Sequence, residues 1–75
     1  MTPEQCRQAR ELLGWSPQGL AFRANTSRTV VVGFETGIRR TRARSQLAVR
    51  LTLEAAGVEF MSESGDGAAI RLRPR

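Results

Sequence analysis

Residues 13–37 read LGWSPQGLAFRANTSRTVVVGFETG, and this stretch decides the fold. Ser16 followed by Pro17 predicts a helix start, because serine caps helix N-termini and proline is favoured in the first turn. Asn25 can end this helix in the left-handed conformation, and Ser27 is the N-cap of a second helix. Two short helices separated by a three-residue turn are typical of a helix-turn-helix.

The apolar residues of these two helices recur at helical spacing. In the first helix the predicted inward side chains are Leu20, Ala21 and Ala24. In the second, Val31 and Phe34 are three residues apart and form the inward edge. The pattern therefore predicts one shared core for the pair.

A helix is also predicted at the N-terminus. Thr2, Pro3 and Gln5 form the pattern of a capping box with a first-turn proline, and Gly14 suits the C-terminal cap. The predicted buried face consists of Cys6, Ala9, Leu12 and Leu13.

Residues 45–56 predict a fourth helix, which Gly57 ends. Its apolar side chains lie on two sides. We expect the first three helices to cover Leu47, Leu51 and Ala55, leaving a second apolar side facing outward. After the helix, residues 58–61 and 69–73 alternate as strands do, across the turn-rich segment 62–67, and predict a hairpin or a pair of exchanged strands.

The predicted fold class is mainly α, with four or five helices and a short C-terminal strand pair. Residues 1–57 form the helical domain, and residues 58–75 are a strand segment expected to support dimerisation. An outward apolar patch and unpaired strand edges both indicate an interface. The residues predicted to form it are Val49, Leu53, Ala56, Val58, Phe60, Ile70 and Leu72.

The chain has 75 residues, room for one domain, and a net charge of +5. All 12 basic residues are arginine, which binds phosphate and guanine through two parallel hydrogen bonds. Residues 28–50 contain six arginines and the single acid Glu35, so this segment accounts for the whole net charge. Basic charge placed directly after a short helix favours a nucleic-acid partner.

Several function classes are disfavoured. A lone Cys6 without any histidine cannot form a structural zinc site, an intramolecular disulfide or a Cys-His nucleophile pair. No acid pair or phosphate loop indicates an enzyme, and no cofactor or metal is expected. No apolar run is long enough to span a membrane, so we expect a cytoplasmic protein with no membrane partner.

Four segments carry a family resemblance, and they are Leu13–Ser16, Leu20–Ala21, Ser27–Thr29 and Phe34–Gly37. They resemble the helix-turn-helix family of phage Cro proteins and repressors, often called the Xre family. Residues 53–60, which read LEAAGVEF, resemble the end of short bacterial members. The resemblance implies a repressor-like fold and a homodimer that binds an inverted repeat in double-stranded DNA to regulate transcription, as a repressor or autoregulator.

The resemblance also implies that the helix over residues 28–36 reads the major groove. Its outward residues, expected to face base edges, are Arg28, Thr29, Val32 and Gly33. The Arg28 guanidinium can donate two hydrogen bonds to the edge of a guanine, and the methyl groups of Thr29 and Val32 can contact the methyl group of a thymine. The residues expected to contact the DNA backbone are Ser16, Gln18, Ser27, Thr36, Arg39, Arg40, Arg42 and Arg44.

Two alternatives stay open. The chain could be an antitoxin or co-regulator that binds DNA together with a protein partner. It could also be an interaction module that has lost DNA binding, because Val32 and Gly33 stand where the family often carries long polar side chains. Phe22 lies on the outer side of its helix, either as a packing plug or as part of a protein-contact patch.

Overall fold

Four helices and a two-stranded antiparallel sheet make up the part of the chain that the computed structural model describes, residues 1–61 and 70–74. The elements are α1 (Pro3–Leu12), α2 (Pro17–Arg23), α3 (Arg28–Thr36), α4 (Ala43–Ala55), β1 (Val58–Phe60) and β2 (Ile70–Leu72). Val58 pairs with Leu72 and Phe60 with Ile70. The predicted mainly α chain with a C-terminal strand pair is confirmed, while the turn predicted at 62–67 lies outside the described residues.

The helix starts are fixed by local hydrogen bonds. In α1 the Gln5 N–H donates to Thr2 Oγ1 at 3.0 Å, and the Thr2 N–H donates to Gln5 Oε1 at 2.8 Å. The hydroxyls of Ser16 and Ser27 each accept a backbone N–H three residues later, at 3.0 and 3.2 Å. Asn25 has φ 56° after α2. The predicted caps are confirmed, because capping depends only on neighbouring residues.

All four helices and β1 contribute to the core. Its buried apolar residues are Cys6, Ala9, Leu20, Ala21, Ala24, Val31, Val49, Leu53 and Val58. Two predictions for α1 need correction. Leu12 is 51% exposed rather than buried, and Gln5, which the apolar pattern did not include, is fully buried.

The predicted orientation of α4 is wrong. Val49 and Leu53 are 3% and 0% exposed and lie in the core, whereas Leu47 and Leu51 are 55% and 54% exposed. Apolar residues surround most of this helix, so its own sequence does not select a buried face. The contacts of α4 with the other helices and with β1 select it.

This orientation corrects the predicted dimer interface. Val49, Leu53 and Val58 are core residues of a single chain, so they cannot form an exposed interface. Phe60 and Ile70 are half-buried and pack against the same core. Ala56 and Leu72 are exposed, as the prediction required.

The described helices give no evidence of a membrane span. Among residues 1–61 and 70–74, no helix has both the length and the apolar content needed to cross a bilayer. The longest of them, α4, has 13 residues.

Candidate nucleic-acid interface

A buried ion pair fixes the orientation of α3. The Arg10 guanidinium makes two parallel bonds to the Glu35 carboxylate, Nε to Oε2 at 2.9 Å and Nη2 to Oε1 at 3.0 Å. Its Nη1 also donates to the backbone oxygen of Trp15 at 2.9 Å. The two charged side chains are only 12% and 6% exposed. This contact holds α3 against α1.

The hydrogen bonds that Arg10 donates to Glu35 raise the pKa of Arg10 above its ordinary value. Sequence reasoning missed both residues. A signal was present, because Arg10 lies four residues after Cys6 and three before Leu13, on the same side of α1. The pair leaves the opposite side of α3 facing solvent.

Cys6 lies beside this ion pair, with its Sγ 3.5 Å from Glu35 Oε2. Burial, together with the negative charge of Glu35, raises the pKa of the Cys6 thiol to about 12. The chain contains no lysine, tyrosine or histidine. Between pH 9 and 12, Cys6 is therefore the side chain whose titration differs between the folded and unfolded states.

We expect the protein to lose stability steeply in alkali. Above about pH 9 the unfolded chain releases the Cys6 proton, while the folded protein keeps it until about pH 12. The free energy of unfolding should then fall by about 1.4 kcal/mol per pH unit within this window. Urea unfolding at several pH values tests this, with Cys6→Ala as the control that should remove the slope. An equal slope in both proteins would contradict it.

The outward residues of α3 differ in accessibility. Arg28 and Thr29 are exposed, and Val32 is half-buried. Thr36 is exposed, and its hydroxyl donates to the Val32 carbonyl at 2.7 Å. Gly33 is buried, so the prediction that it is an outward residue facing a base edge is wrong.

The segment after α3 folds back along that helix. Gly37 ends α3 with φ 73°, and the Arg39 N–H donates to the Gly33 carbonyl at 3.4 Å. A shallow groove then separates this segment from α3 and the start of α4. The residues that line it are Val30, Arg39, Arg40, Thr41, Arg42 and Ser45.

The arginines that the structure describes fall into two groups. Six have a partner within the fold, and these are Arg7, Arg10, Arg23, Arg50, Arg71 and Arg73. Five others are exposed, and their side chains make no hydrogen bond or ion pair to another described residue. These, here named the unpaired arginines, are Arg28, Arg39, Arg40, Arg42 and Arg44.

Four of the unpaired arginines lie within residues 39–44, from the segment after α3 into the first turn of α4, and the fifth, Arg28, lies at the start of α3. The remaining predicted backbone contacts are less concentrated. Ser16 and Gln18 are exposed at the start of α2, and Ser27 is exposed at the start of α3. None of these three residues is charged, so the formal positive charge among the predicted backbone contacts belongs to Arg39, Arg40, Arg42 and Arg44.

No protein-family model matches the chain, and a search of curated proteins gives no match either. The resemblance noted in the sequence therefore stays a prediction.

Proposed function

We propose that this protein is a sequence-specific double-stranded DNA-binding regulator of transcription, a cytoplasmic repressor or autoregulator that works without catalysis or a cofactor. It would act as a homodimer on an inverted-repeat operator, with α2 and α3 as a helix-turn-helix. The observation that carries the proposal is the position of the unpaired arginines, directly beside an exposed helix face.

Helix α3 has the dimensions of a reading element. An α-helix with its side chains is about 10 to 12 Å in diameter, which fits the major groove width of about 12 Å, and the nine residues of α3 give a length of roughly 13 Å. Arg28 and Thr29 are exposed at its start. Their guanidinium and methyl groups match the guanine edge and the thymine methyl, respectively.

The arginines after α3 suit the DNA backbone. Arg40, Arg42 and Arg44 are exposed and break no internal contact when they bind an anion. Arg10, by contrast, would have to give up its bonds to Glu35. Phosphate contacts of this kind supply affinity on any sequence and hold the reading helix in register.

We place the dimer contact on the exposed face of α4. Leu47, Leu51 and Ala55 are spaced four residues apart and form one exposed apolar stripe. A groove between the end of α4 and β2 continues the stripe, and Ala56 and Leu72 are among its lining residues. A second copy is the occupant that the function requires, since one helix reads too few base pairs to define a site.

The salt dependence of binding tests the backbone contacts. Replacing Arg40 and Arg42 together by alanine should weaken binding to every duplex and lower the slope of log K against log salt by about 0.9 for each phosphate that is no longer neutralised. The matched control is Arg7→Ala with Arg71→Ala, which removes the same charge where each arginine pairs with a glutamate. Titration of fluorescent duplex over a range of salt concentrations measures both.

Two results would contradict the proposal at different levels. An unchanged slope in the Arg40 and Arg42 variant would leave these residues as solvated charge. Failure of the wild-type protein to bind any duplex at low salt would remove the DNA-binding function altogether. The chain would then be the interaction module considered above.

A second candidate function is favoured by two exposed side chains. Phe22 and Ile38 are 84% and 82% exposed, so Phe22 is not a packing plug. Exposed apolar side chains of this size fit an antitoxin or co-regulator whose protein partner covers them. The test is to replace both by serine. If a protein partner covers these side chains, the double variant alone should bind DNA as tightly as the wild type. It should no longer bind the partner protein, the product of a neighbouring gene.

A further inference from the structure

Gly33 is buried at a position where the helix itself faces outward. It follows Val31 by two residues, or about 200° around α3, so the two lie on opposite sides. Val31 is 1% exposed within the core, and the opposite side should be open to solvent. Gly33 is nevertheless buried. Another part of the chain must cover it.

The covering group is the side chain of Arg39. A β-carbon placed on Gly33 would lie 3.0 Å from Cβ, 3.4 Å from Cγ and 3.3 Å from Cδ of Arg39. The aliphatic stem of Arg39 therefore lies directly over the glycine. The bond from the Arg39 N–H to the Gly33 carbonyl holds the backbone of the two residues together.

The guanidinium of Arg39 is left free. Arg39 is exposed, and its side chain has no hydrogen bond or ion pair to another described residue. Its stem is fixed on the side of α3 that also carries Thr29 and Thr36, both exposed. Between Arg28 and Glu35 the helix has no long polar side chain of its own, and Glu35 is bound by Arg10.

We propose that Arg39 is a specificity-determining residue, which rests on the proposed function. Seated on Gly33, it supplies the long hydrogen-bonding side chain that the middle of α3 lacks, and its guanidinium contacts a guanine edge in the major groove. Packing against Gly33 restricts the aliphatic part of the Arg39 side chain before DNA binds. The side-chain entropy cost of the contact between Arg39 and guanine is therefore smaller. Gly33 is then a positioning residue, because any side chain there would displace the stem.

Arg40 provides the matched control. It is exposed and unpaired in the same segment, but its side chain is not among the atoms that lie nearest to Gly33. Arg39→Ala should weaken binding to a duplex selected by the wild-type protein by about 5- to 150-fold and change binding to a scrambled duplex much less. Arg40→Ala should weaken both equally. Arg39→Lys should behave like Arg39→Ala on the selected duplex, because lysine lacks the planar fork.

A double-mutant cycle tests whether Gly33 positions the Arg39 side chain. Gly33→Ala should reduce affinity for the selected duplex in the wild-type background, since the new β-carbon pushes the Arg39 stem aside. It should cause no further reduction in an Arg39→Ala background. Alanine favours helix over glycine, so the variant should stay folded, and circular dichroism checks this.

The outcomes separate the two levels of the proposal. Equal reductions in affinity for selected and scrambled duplex in Arg39→Ala would overturn base contact by Arg39 while leaving DNA binding in place. If Gly33→Ala still reduces affinity for the selected duplex in the Arg39→Ala background, Gly33 does not act by positioning Arg39. If the wild-type protein selects no sequence from a random duplex pool, the proposed function and this inference both fall.

Discussion

Replacing Glu35 by alanine should lower the free energy of unfolding by about 3 to 5 kcal/mol. The substitution leaves the Arg10 guanidinium, whose side chain is 12% exposed, without its carboxylate partner. The cost of an uncompensated buried charge far exceeds the value of a surface pair. A single small domain has a total stability of only about 5 kcal/mol, so about 0 to 2 kcal/mol should remain and the unfolded fraction should rise to between a few per cent and about half.

The matched control is Glu59→Ala. Glu59 pairs with Arg71 on the strand pair, where the arginine side chain is 62% exposed. A pair of this kind contributes less than about 1 kcal/mol. Urea unfolding followed by circular dichroism measures both variants. Equal decreases in stability would show that the Arg10 and Glu35 pair is no more important than a surface contact.

A third variant separates the charge from the position. Arg10→Met combined with Glu35→Leu removes both charges and fills the space with apolar groups of similar size. Buried ion pairs replaced in this way often keep or gain stability. We expect this double variant to be clearly more stable than Glu35→Ala. If it is as unstable as the single variant, the hydrogen bonds of Arg10, including the one to the Trp15 carbonyl, matter more than charge compensation.

The predictions from sequence that succeeded depend on neighbouring residues. Thr2, Ser16 and Ser27 cap helices through bonds that span three residues, and Asn25 takes the left-handed conformation that its side chain tolerates. Such features are visible within a few positions of sequence. The helix order, and the strand pair after Gly57, followed from them.

The predictions that failed depend on residues distant in the chain. The face that α4 buries is chosen by its packing partners, which include β1, so Leu53 and Leu51 exchanged roles relative to the prediction. The burial of Gly33 depends on where the segment after α3 places Arg39. Helical periodicity describes the surface of one helix and does not say which neighbour covers it.

Local patterns and distant contacts together locate the site. The same local patterns that placed α3 also placed Arg28 and Thr29 on its exposed side. The orientation of that side depends on the Arg10 and Glu35 pair, which joins residues 25 positions apart. The Arg10 and Glu35 pair therefore links a core contact to the helix that is proposed to read DNA.

Replacing Leu47 and Leu51 by glutamine should abolish the proposed dimerisation and lower affinity for the proposed inverted-repeat duplex by roughly 10²- to 10⁴-fold, the usual gain from joining two binding units. Both side chains are more than half exposed, so the fold should survive. Glutamine is neutral and helix-compatible, so the change alters neither the net charge of the chain nor the preference of α4 for helix. Phe22→Gln is the matched control, because it removes a comparable exposed apolar group from α2. Leu53→Ala, in the core, should instead cost about 2 to 5 kcal/mol of stability without any selective effect on association.

Sedimentation gives the mass of each variant, and titration with one-half-site and two-half-site duplexes gives its affinity. A glutamine variant that stays dimeric, or a wild-type monomer that binds one half-site as tightly as two, would show that the stripe on α4 does not join two copies.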